Sequence, residues 1–234
     1  MHTCFLNLKF SNVSLFLKST DYFGQSIELN PFAHTWSLGV EEQFYLLFPF
    51  LVWFSGFAQK SKNGEKYLFW VIIFLSVLSL SLFYYLFTSD VGFLESAGYF
   101  LMPSRFWEIA AGSLVFLISL KYKRCLNFLY KFSNLIFLFL ILLIFKSPYY
   151  VPSIATLITV FFTSIKILNQ RKDTLAFRFL TLTPFIYIGK ISYSLYLWHW
   201  GILSISRWTV GVNVITFPIK LILIFLLSVI SYHF

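Results

Sequence analysis

The sequence predicts an all-α fold, a polytopic integral membrane bundle of about seven transmembrane helices in a single domain spanning residues 1–234. The chain is 59% hydrophobic and only 12% charged, about half of the roughly 25% charged residues of a soluble domain. Several apolar runs approach or reach the ~20 residues that cross the hydrocarbon core of a bilayer. The basic residues fall between those runs, and no repeat or low-complexity tract interrupts them.

The apolar runs give the predicted spans in order. An outer loop that carries Asp90 and Glu95 is expected between the second and third spans. The fourth span is short, roughly 24 Å at 1.5 Å per residue, and needs flanking residues or a thinner bilayer. Residues 5–17 are apolar but short, so they are either the end of a span or an interfacial segment, without the features of a cleavable signal peptide. The predicted spans are 35–57, 67–87, 100–120, 132–147, a run ending near 168, 190–206 and 214–231.

The net charge of +9 predicts membrane orientation rather than binding to nucleic acid. Five basic residues lie on one side by alternation of the spans, and eleven of the 18 lie in three loops on the other. Because positive loops face the cytoplasm, the eleven are expected inside, with the N-terminus outside and the C-terminus cytoplasmic. Cys4 and Cys125 then lie on opposite sides, so neither a disulfide nor a metal site is predicted. The eleven are Lys60, Lys62, Lys66, Lys121, Lys123, Arg124, Lys131, Lys166, Arg171, Lys172 and Arg178.

The polar start of the first span is the strongest candidate site. His34, Glu41 and Glu42 place an imidazole and two adjacent carboxylates at the mouth of a helix, where polar groups are costly unless they face a protein interior or a water-filled cavity. Adjacent carboxylates repel each other, so one of them can retain a proton for general acid–base catalysis. These three are the candidate catalytic residues of an outward-facing pocket for sugar hydroxyls. The alternative is that the carboxylates only stabilise a helix start through its dipole. The substrate-binding candidates beside them are Trp36, Ser37, Gln43 and Tyr45.

Two later spans carry further candidate substrate-binding residues. Arg105 and Glu108 are three residues apart in the third span and can meet on one helix face, either as a self-satisfied structural pair or as a counter-ion to the first-span carboxylates or to an anionic donor. In the sixth span Ser192, Tyr196 and His199 share a face and predict a polar stripe into the bundle. The alternatives are that the histidine is only a packing group and that the flanking tryptophans form an interfacial belt.

Two segments closely resemble the signatures of the acyltransferase-3 family. The first is His34–Pro49, HTWSLGVEEQFYLLFP, and the second, downstream, is Gly189–Trp200, GKISYSLYLWHW. Further matches follow in order, so that the resemblance covers nearly the whole chain. They are Asp21-Tyr22-Phe23, Pro103–Glu108 with the Ala-Ala-Gly run after it, and the terminal Ser231–Phe234.

The resemblance implies a multi-pass enzyme of the bacterial inner membrane. Such an enzyme takes an acyl group, usually acetyl, from cytoplasmic acyl-CoA and passes it to a hydroxyl of a surface or periplasmic glycan such as lipopolysaccharide or peptidoglycan. Acyl-CoA is then the donor substrate, with no bound cofactor, and the partners are membrane lipid, the donor and the glycan acceptor. Nothing before His34 matches the early spans and relay histidine of the family, and the family usually continues beyond Phe234. We therefore expect a fragment cut at both ends, inactive alone and completed by a companion polypeptide.

Two other functions stay open from the residues alone. Intramembrane charges also mark the pathways of transporters and flippases, although the repeated halves typical of transporter folds are not evident in the sequence. A non-catalytic partner subunit is the other alternative.

Overall fold

The computed structural model describes residues 10–17, 29–89, 91–121, 152–168, 175–211 and 213–234. Within these ranges every regular element is helical, which confirms the predicted all-α class. A short 3-10 helix, Ala33–Thr35, precedes the second α-helix. The α-helices are α1 (Ser11–Leu17), α2 (Trp36–Phe54), α3 (Gly64–Thr88), α4 (Gly92–Phe100), α5 (Met102–Lys121), α6 (Pro152–Leu168), α7 (Leu175–Leu180), α8 (Thr183–Thr209) and α9 (Phe217–His233).

Two helical segments of the described chain are long and apolar enough to cross a bilayer, namely α3 and the stretch Gly92–Leu120 that includes α4 and most of α5. Only 22% of the most apolar window of α3 is buried, whereas a helix that is apolar all round and belongs to a soluble core would be buried. Its exposed side chains therefore suit a lipid environment. The count of about seven transmembrane helices stays a prediction.

Several sequence predictions fall outside the described residues. These are the fourth span, both cysteines, the Asp21-Tyr22-Phe23 match, Asp90, and the basic residues at 123, 124, 131, 171 and 172. Among the described spans, the helix that carries the second signature is longer than predicted, because it begins at Thr183, seven residues before the predicted start, with Pro184, which lacks a backbone N–H, in its first turn.

The described chain divides into two compact units, Val40–Arg178 and a second that joins Met1–Gly39 to Phe179–Phe234. In the first unit α3 packs along α5, α4 packs against both, and α6 contacts α5. Phe83 and Ala110 are almost completely buried at this core, and the Trp107 backbone N–H donates to the Ser79 hydroxyl at 3.2 Å, which ties α5 to α3. Ala110, the first residue of the Ala-Ala-Gly run, thus lies in the interior. The single domain covering the whole chain stays a prediction.

The prediction of an outer loop around Glu95 is wrong, since residues 92–100 form α4. The helix stops at Leu101, which is extended (φ −87°, ψ 138°), and Pro103 in the next turn has no N–H to continue it. The last carbonyls of a helix lack backbone partners, and here the Ser104 hydroxyl lies 2.9 Å from the Gly98 oxygen and 2.7 Å from that of Leu101. The Ser104 side chain therefore stabilises the break between α4 and α5, which the spacing of apolar residues in the sequence does not reveal.

In the second unit, α1 packs on the 3-10 helix and α8 packs along α9. The Ser11 hydroxyl donates to the Thr35 carbonyl at 2.8 Å. Asn12 is fully buried and its Oδ1 would lie only 2.8 Å from a Cβ at Gly39. Glycine at the start of α2 thus lets α1 approach closely, and this contact fixes the turn that carries His34.

Candidate active site

The second unit brings the histidine that precedes α2 against the second signature helix. His34 lies in the 3-10 helix, while Tyr196 and His199 lie on α8. The ring centroid of His34 is 5.0 Å from that of Tyr196 and 5.3 Å from that of His199. We call His34, Ser37, Tyr196 and His199 the histidine cluster. It unites one predicted catalytic residue with three predicted substrate-binding residues.

Tyr196 fixes the backbone of the 3-10 helix through a chain of two hydrogen bonds. Its hydroxyl donates to the His34 carbonyl at 2.5 Å, and its oxygen lies 2.5 Å from the Ser37 hydroxyl. A phenol has one proton to donate. Because that proton goes to the carbonyl, the Tyr196 oxygen accepts from Ser37. The arrangement joins α8 to the start of α2 in one orientation.

The tautomer of His199 follows from its neighbours. Its Nδ1 lies 2.6 Å from the Tyr196 carbonyl oxygen and 3.2 Å from that of Leu195. Carbonyl oxygens only accept, so Nδ1 carries the proton, and in the neutral imidazole Nε2 keeps its lone pair. The helix backbone thereby prepares His199 Nε2 to accept a proton.

His34 has the opposite environment. Both of its ring nitrogens are buried, and neither has a hydrogen-bond partner among the described residues. Burial, and secondly the neighbouring His199 ring, lower the pKa of His34 to about 4, and the nearby Tyr196 backbone offsets this only in part, so this imidazole is neutral at pH 7. Buried polar groups are nearly always paired, and an unpaired neutral imidazole offers one N–H donor and one acceptor to a ligand.

Trp200 and Asn30 complete the surroundings of the cluster, and the sequence analysis did not select either. The Trp200 ring centroid is 6.3 Å from that of His34, and its indole N–H donates to the Asn30 carbonyl at 2.8 Å. The Arg207 guanidinium lies 5.3 Å from the Trp200 ring centroid. The Trp-His-Trp run was the available signal, but it also fits an interfacial belt. In the structure Trp200 is a wall of the site.

The other candidate residues on α2 and α8 differ in how far their side chains are exposed. Glu41, Glu42, Tyr45 and Ser192 are exposed. Trp36 and Gln43 are half-buried, and each makes an interaction within the protein. Because α2 is continuous, Ser37, Glu41 and Tyr45 share a face at intervals of four residues. The catalytic assignment of the two carboxylates stays a prediction.

Arg105 and Glu108 form the intrahelical ion pair that their spacing predicted, with 3.2 Å between nitrogen and oxygen. The Arg105 Nε also donates to the Tyr99 carbonyl at 2.7 Å, and its guanidinium lies 4.8 Å from the Tyr99 ring centroid. Arg105 therefore satisfies a carbonyl at the end of α4. The ring of Phe44, one turn after Glu41, lies 5.4 Å from that of Phe106, which supports the expected proximity of α2 and α5. That Arg105 neighbours the two carboxylates stays a prediction.

The comparisons with known proteins agree with these features. A family model described as an acyltransferase domain, that of acyltransferase-3, matches residues 3–233. The chain therefore belongs to the acyltransferase-3 family, which confirms the resemblance of its signatures. Membership in this family, together with the exposed apolar helices, identifies a membrane protein.

Relatives of this chain include O-acetyltransferases of Staphylococcus aureus. The chain is 32% identical to O-acetyltransferase OatA of strains NCTC 8325 / PS 47 and COL over 237 residues, which cover 93% of this chain and 37% of each relative. The chain thus spans little more than a third of the length of these relatives. No solved structure matches it significantly.

Proposed function

We propose that this chain is the membrane module of an O-acetyltransferase, which transfers an acetyl group from acyl-CoA to a hydroxyl of a surface or periplasmic glycan at the bacterial inner membrane. Family membership and relatives named O-acetyltransferase support the reaction class. The observation that carries the proposal is the pairing of two unlike histidines, one anchored at Nδ1 and one with both ring nitrogens unpaired.

The two imidazoles suit the two needs of acyl transfer. The acyl end of the donor is proposed to reach this outer site along the polar stripe of α8. The acceptor hydroxyl attacks the thioester carbonyl carbon, and His199 Nε2 takes its proton as general base. The neutral His34 donates its N–H to the carbonyl oxygen, where negative charge develops. The C–S bond then breaks, and the imidazolium of His199 returns the proton to the thiolate, so that an ester and a free thiol leave the site.

The acceptor is a glycan because the cluster has an aromatic wall beside polar groups. Trp200 can cover the apolar face of a sugar ring, while neutral hydroxyl and imidazole groups bind its hydroxyls. Glu41 and Glu42 follow along α2 and retain their proposed role in proton transfer. The chain binds no cofactor in this proposal, and acyl-CoA is a substrate.

The proposed orientation places the loop 55–63 in the cytoplasm and the start of α2 outside, in keeping with the basic-loop asymmetry. Single cysteines replacing Lys62 and Arg171 in a Cys4- and Cys125-free chain should resist an impermeant thiol reagent applied outside intact cells. Labelling of both from outside would overturn the orientation.

The experiment for the reaction measures transfer of labelled acetyl from acetyl-CoA to a cell-envelope glycan fraction in two membrane preparations, one with the chain alone and one with the chain joined to the early spans of a family member, and the variants are compared in the active preparation. His199→Gln and His34→Gln should each reduce transfer on the order of 10²-fold. His233→Gln is the matched control, since His233 is exposed and its Nε2 lies 3.2 Å from the Tyr187 hydroxyl, outside the histidine cluster. Equal helical circular dichroism and yield exclude misfolding. Unchanged transfer by both cluster variants would refute the proposed mechanism.

A further inference from the structure

The first unit contains an apolar groove of about 320 Å³ that the proposed reaction does not use. Its volume is at the lower end of the roughly 300–1,000 Å³ of ligand sites. Three elements and the turn between two of them line it, and the side chains are almost all apolar. Its lining includes Phe48, Val52, Phe57, Leu68, Gly112 and Phe116.

The groove opens sideways from the helix bundle. Gly112 and Phe116, both on α5, are exposed. Both lie inside the apolar stretch Gly92–Leu120, with Gly112 roughly 12 Å before its end at 1.5 Å per residue. An opening at that depth faces lipid rather than water, so an acyl chain can enter it from the bilayer.

One end of the groove lies at a tightly built turn. Phe57 lines the groove, and its carbonyl accepts the backbone N–H of Lys60 at 3.1 Å. A Cβ on Gly64 would lie 2.6 Å from the Gly56 backbone, and Gly56 itself has a φ of +75°, which favours glycine. The turn is therefore closed on itself and holds the groove end in place.

That turn and the first turn of α3 carry a cluster of positive charge. Lys60, Lys62 and Lys66 are all exposed there, with Glu65 as the acidic residue among them. Within the described residues the ion pair found joins Arg105 to Glu108, so these lysines are not neutralised by ion pairs in the described part of the chain. Juxtamembrane lysines attract anionic headgroups.

We propose that the groove is a binding site for an anionic glycerophospholipid, with one acyl chain between α2, α3 and α5 and the phosphate against the lysines of the turn. The lateral opening favours a lipid over a ligand that arrives from water, and the charge favours an anionic headgroup over a zwitterionic one. The proposal does not depend on the acetyl-transfer mechanism.

Gly112 allows a direct test, because a Cβ built there meets nothing within 4 Å. Gly112→Leu should fill the groove opening while favouring the helix, since leucine has a higher helix propensity than glycine. Gly189→Leu is the matched control, because a Cβ at Gly189 also meets open space and Gly189 lies on α8. The contribution of the lysines is tested with a triple variant, Lys60→Gln/Lys62→Gln/Lys66→Gln. Its control is Lys190→Gln, which removes an exposed charge on α8.

The experiment measures retention of phosphatidylglycerol and of phosphatidylcholine with matched acyl chains on the purified chain by native mass spectrometry. Phosphatidylglycerol should bind the wild-type chain on the order of tenfold more tightly. Gly112→Leu and the triple lysine variant should lose that preference, while both controls keep it. Equal binding of the two lipids, a preference that survives Gly112→Leu, or loss of phosphatidylglycerol on addition of acetyl-CoA would each overturn the assignment. Circular dichroism of every variant, with Gly112→Val as a smaller filler, separates loss of binding from loss of folding.

Discussion

The imidazole rings of His34 and His199 meet edge to face, with centroids 5.3 Å apart and planes at 72°. They come from opposite ends of the chain and differ in what the protein does to them. A backbone carbonyl accepts the Nδ1 proton of His199, whereas the ring nitrogens of His34 are buried without partners among the described residues. This asymmetry gives the two histidines separate chemical roles, and it can be tested in several ways.

The low pKa of His34 predicts a pH-dependent contribution to stability. Its folded pKa of about 4 is below the ordinary 6.5, so between these values the unfolded chain takes up a proton that the folded chain does not. Stability therefore falls as the pH drops through this window. The melting temperature of the wild type in detergent should decline more from pH 7 to pH 4.5 than that of His34→Gln, in which the other histidines are unchanged. Parallel declines would contradict a buried neutral imidazole.

The hydrogen bonds of Tyr196 predict coupling between two mild substitutions. Tyr196→Phe removes the donor to the His34 carbonyl and the acceptor for Ser37, and Ser37→Ala removes one of these bonds again. Each should cost about 1 kcal/mol of unfolding free energy, and the double variant should cost less than their sum because they share a bond. Thermal unfolding of the four proteins measures this. Simple additivity would mean that the Ser37–Tyr196 bond does not form.

Local periodicity predicted what lies within one helix, and it could not predict which helices meet. The three-residue spacing of Arg105 and Glu108 gave their ion pair, and the spacing of Tyr196 and His199 gave their common face. The approach of His34 to that face depends on packing between distant segments, which a single sequence does not encode as a local pattern. The helix around Glu95 was missed because Gly92 and the polar residues near it are typical of a loop, and the Ser104 hydroxyl that stabilises its end acts across the break.

The surroundings of the helical glycines Gly39 and Gly189 predict opposite effects on stability when each is replaced by alanine. A Cβ at Gly39 would lie 2.8 Å from Asn12 Oδ1 and 3.1 Å from Ser11 Oγ, so Gly39→Ala should push α1 away and destabilise the protein by about 1–3 kcal/mol. Gly189→Ala meets open space and should stabilise its helix by up to about 1 kcal/mol. Melting temperatures in one detergent compare the two. A neutral Gly39→Ala would show that α1 does not pack there.

The contacts of Arg105 predict that a lysine, which carries the same charge, cannot replace its guanidinium. Its Nε binds the Tyr99 carbonyl while another nitrogen pairs with Glu108, and a lysine ammonium on a flexible stem cannot present this fixed fork. Arg105→Lys should therefore be destabilising, and Arg105→Leu more so because it leaves a carboxylate unpaired, by roughly 3 kcal/mol. Arg105→Leu/Glu108→Leu should recover part of this loss in thermal unfolding. No recovery would assign the cost to the Tyr99 carbonyl alone.

The last prediction concerns Glu41 and Glu42, for which the helix-dipole interpretation is now weaker. The helix begins at Trp36 and has no acidic residue in its first turn, while the dipole effect fades beyond that turn. We predict that the two adjacent carboxylates, which lie one turn further on, contact the substrate. Glu→Gln keeps the shape and removes only the charge and its proton. We expect at least one of Glu41→Gln and Glu42→Gln to reduce kcat for acetyl transfer on the order of 10²-fold, as the loss of an acid or base does. A change confined to KM would indicate binding of the acceptor without proton transfer. Glu95→Gln, an exposed acid on α4, is the matched control, and wild-type kinetics in both Glu41→Gln and Glu42→Gln would remove the carboxylates from the reaction.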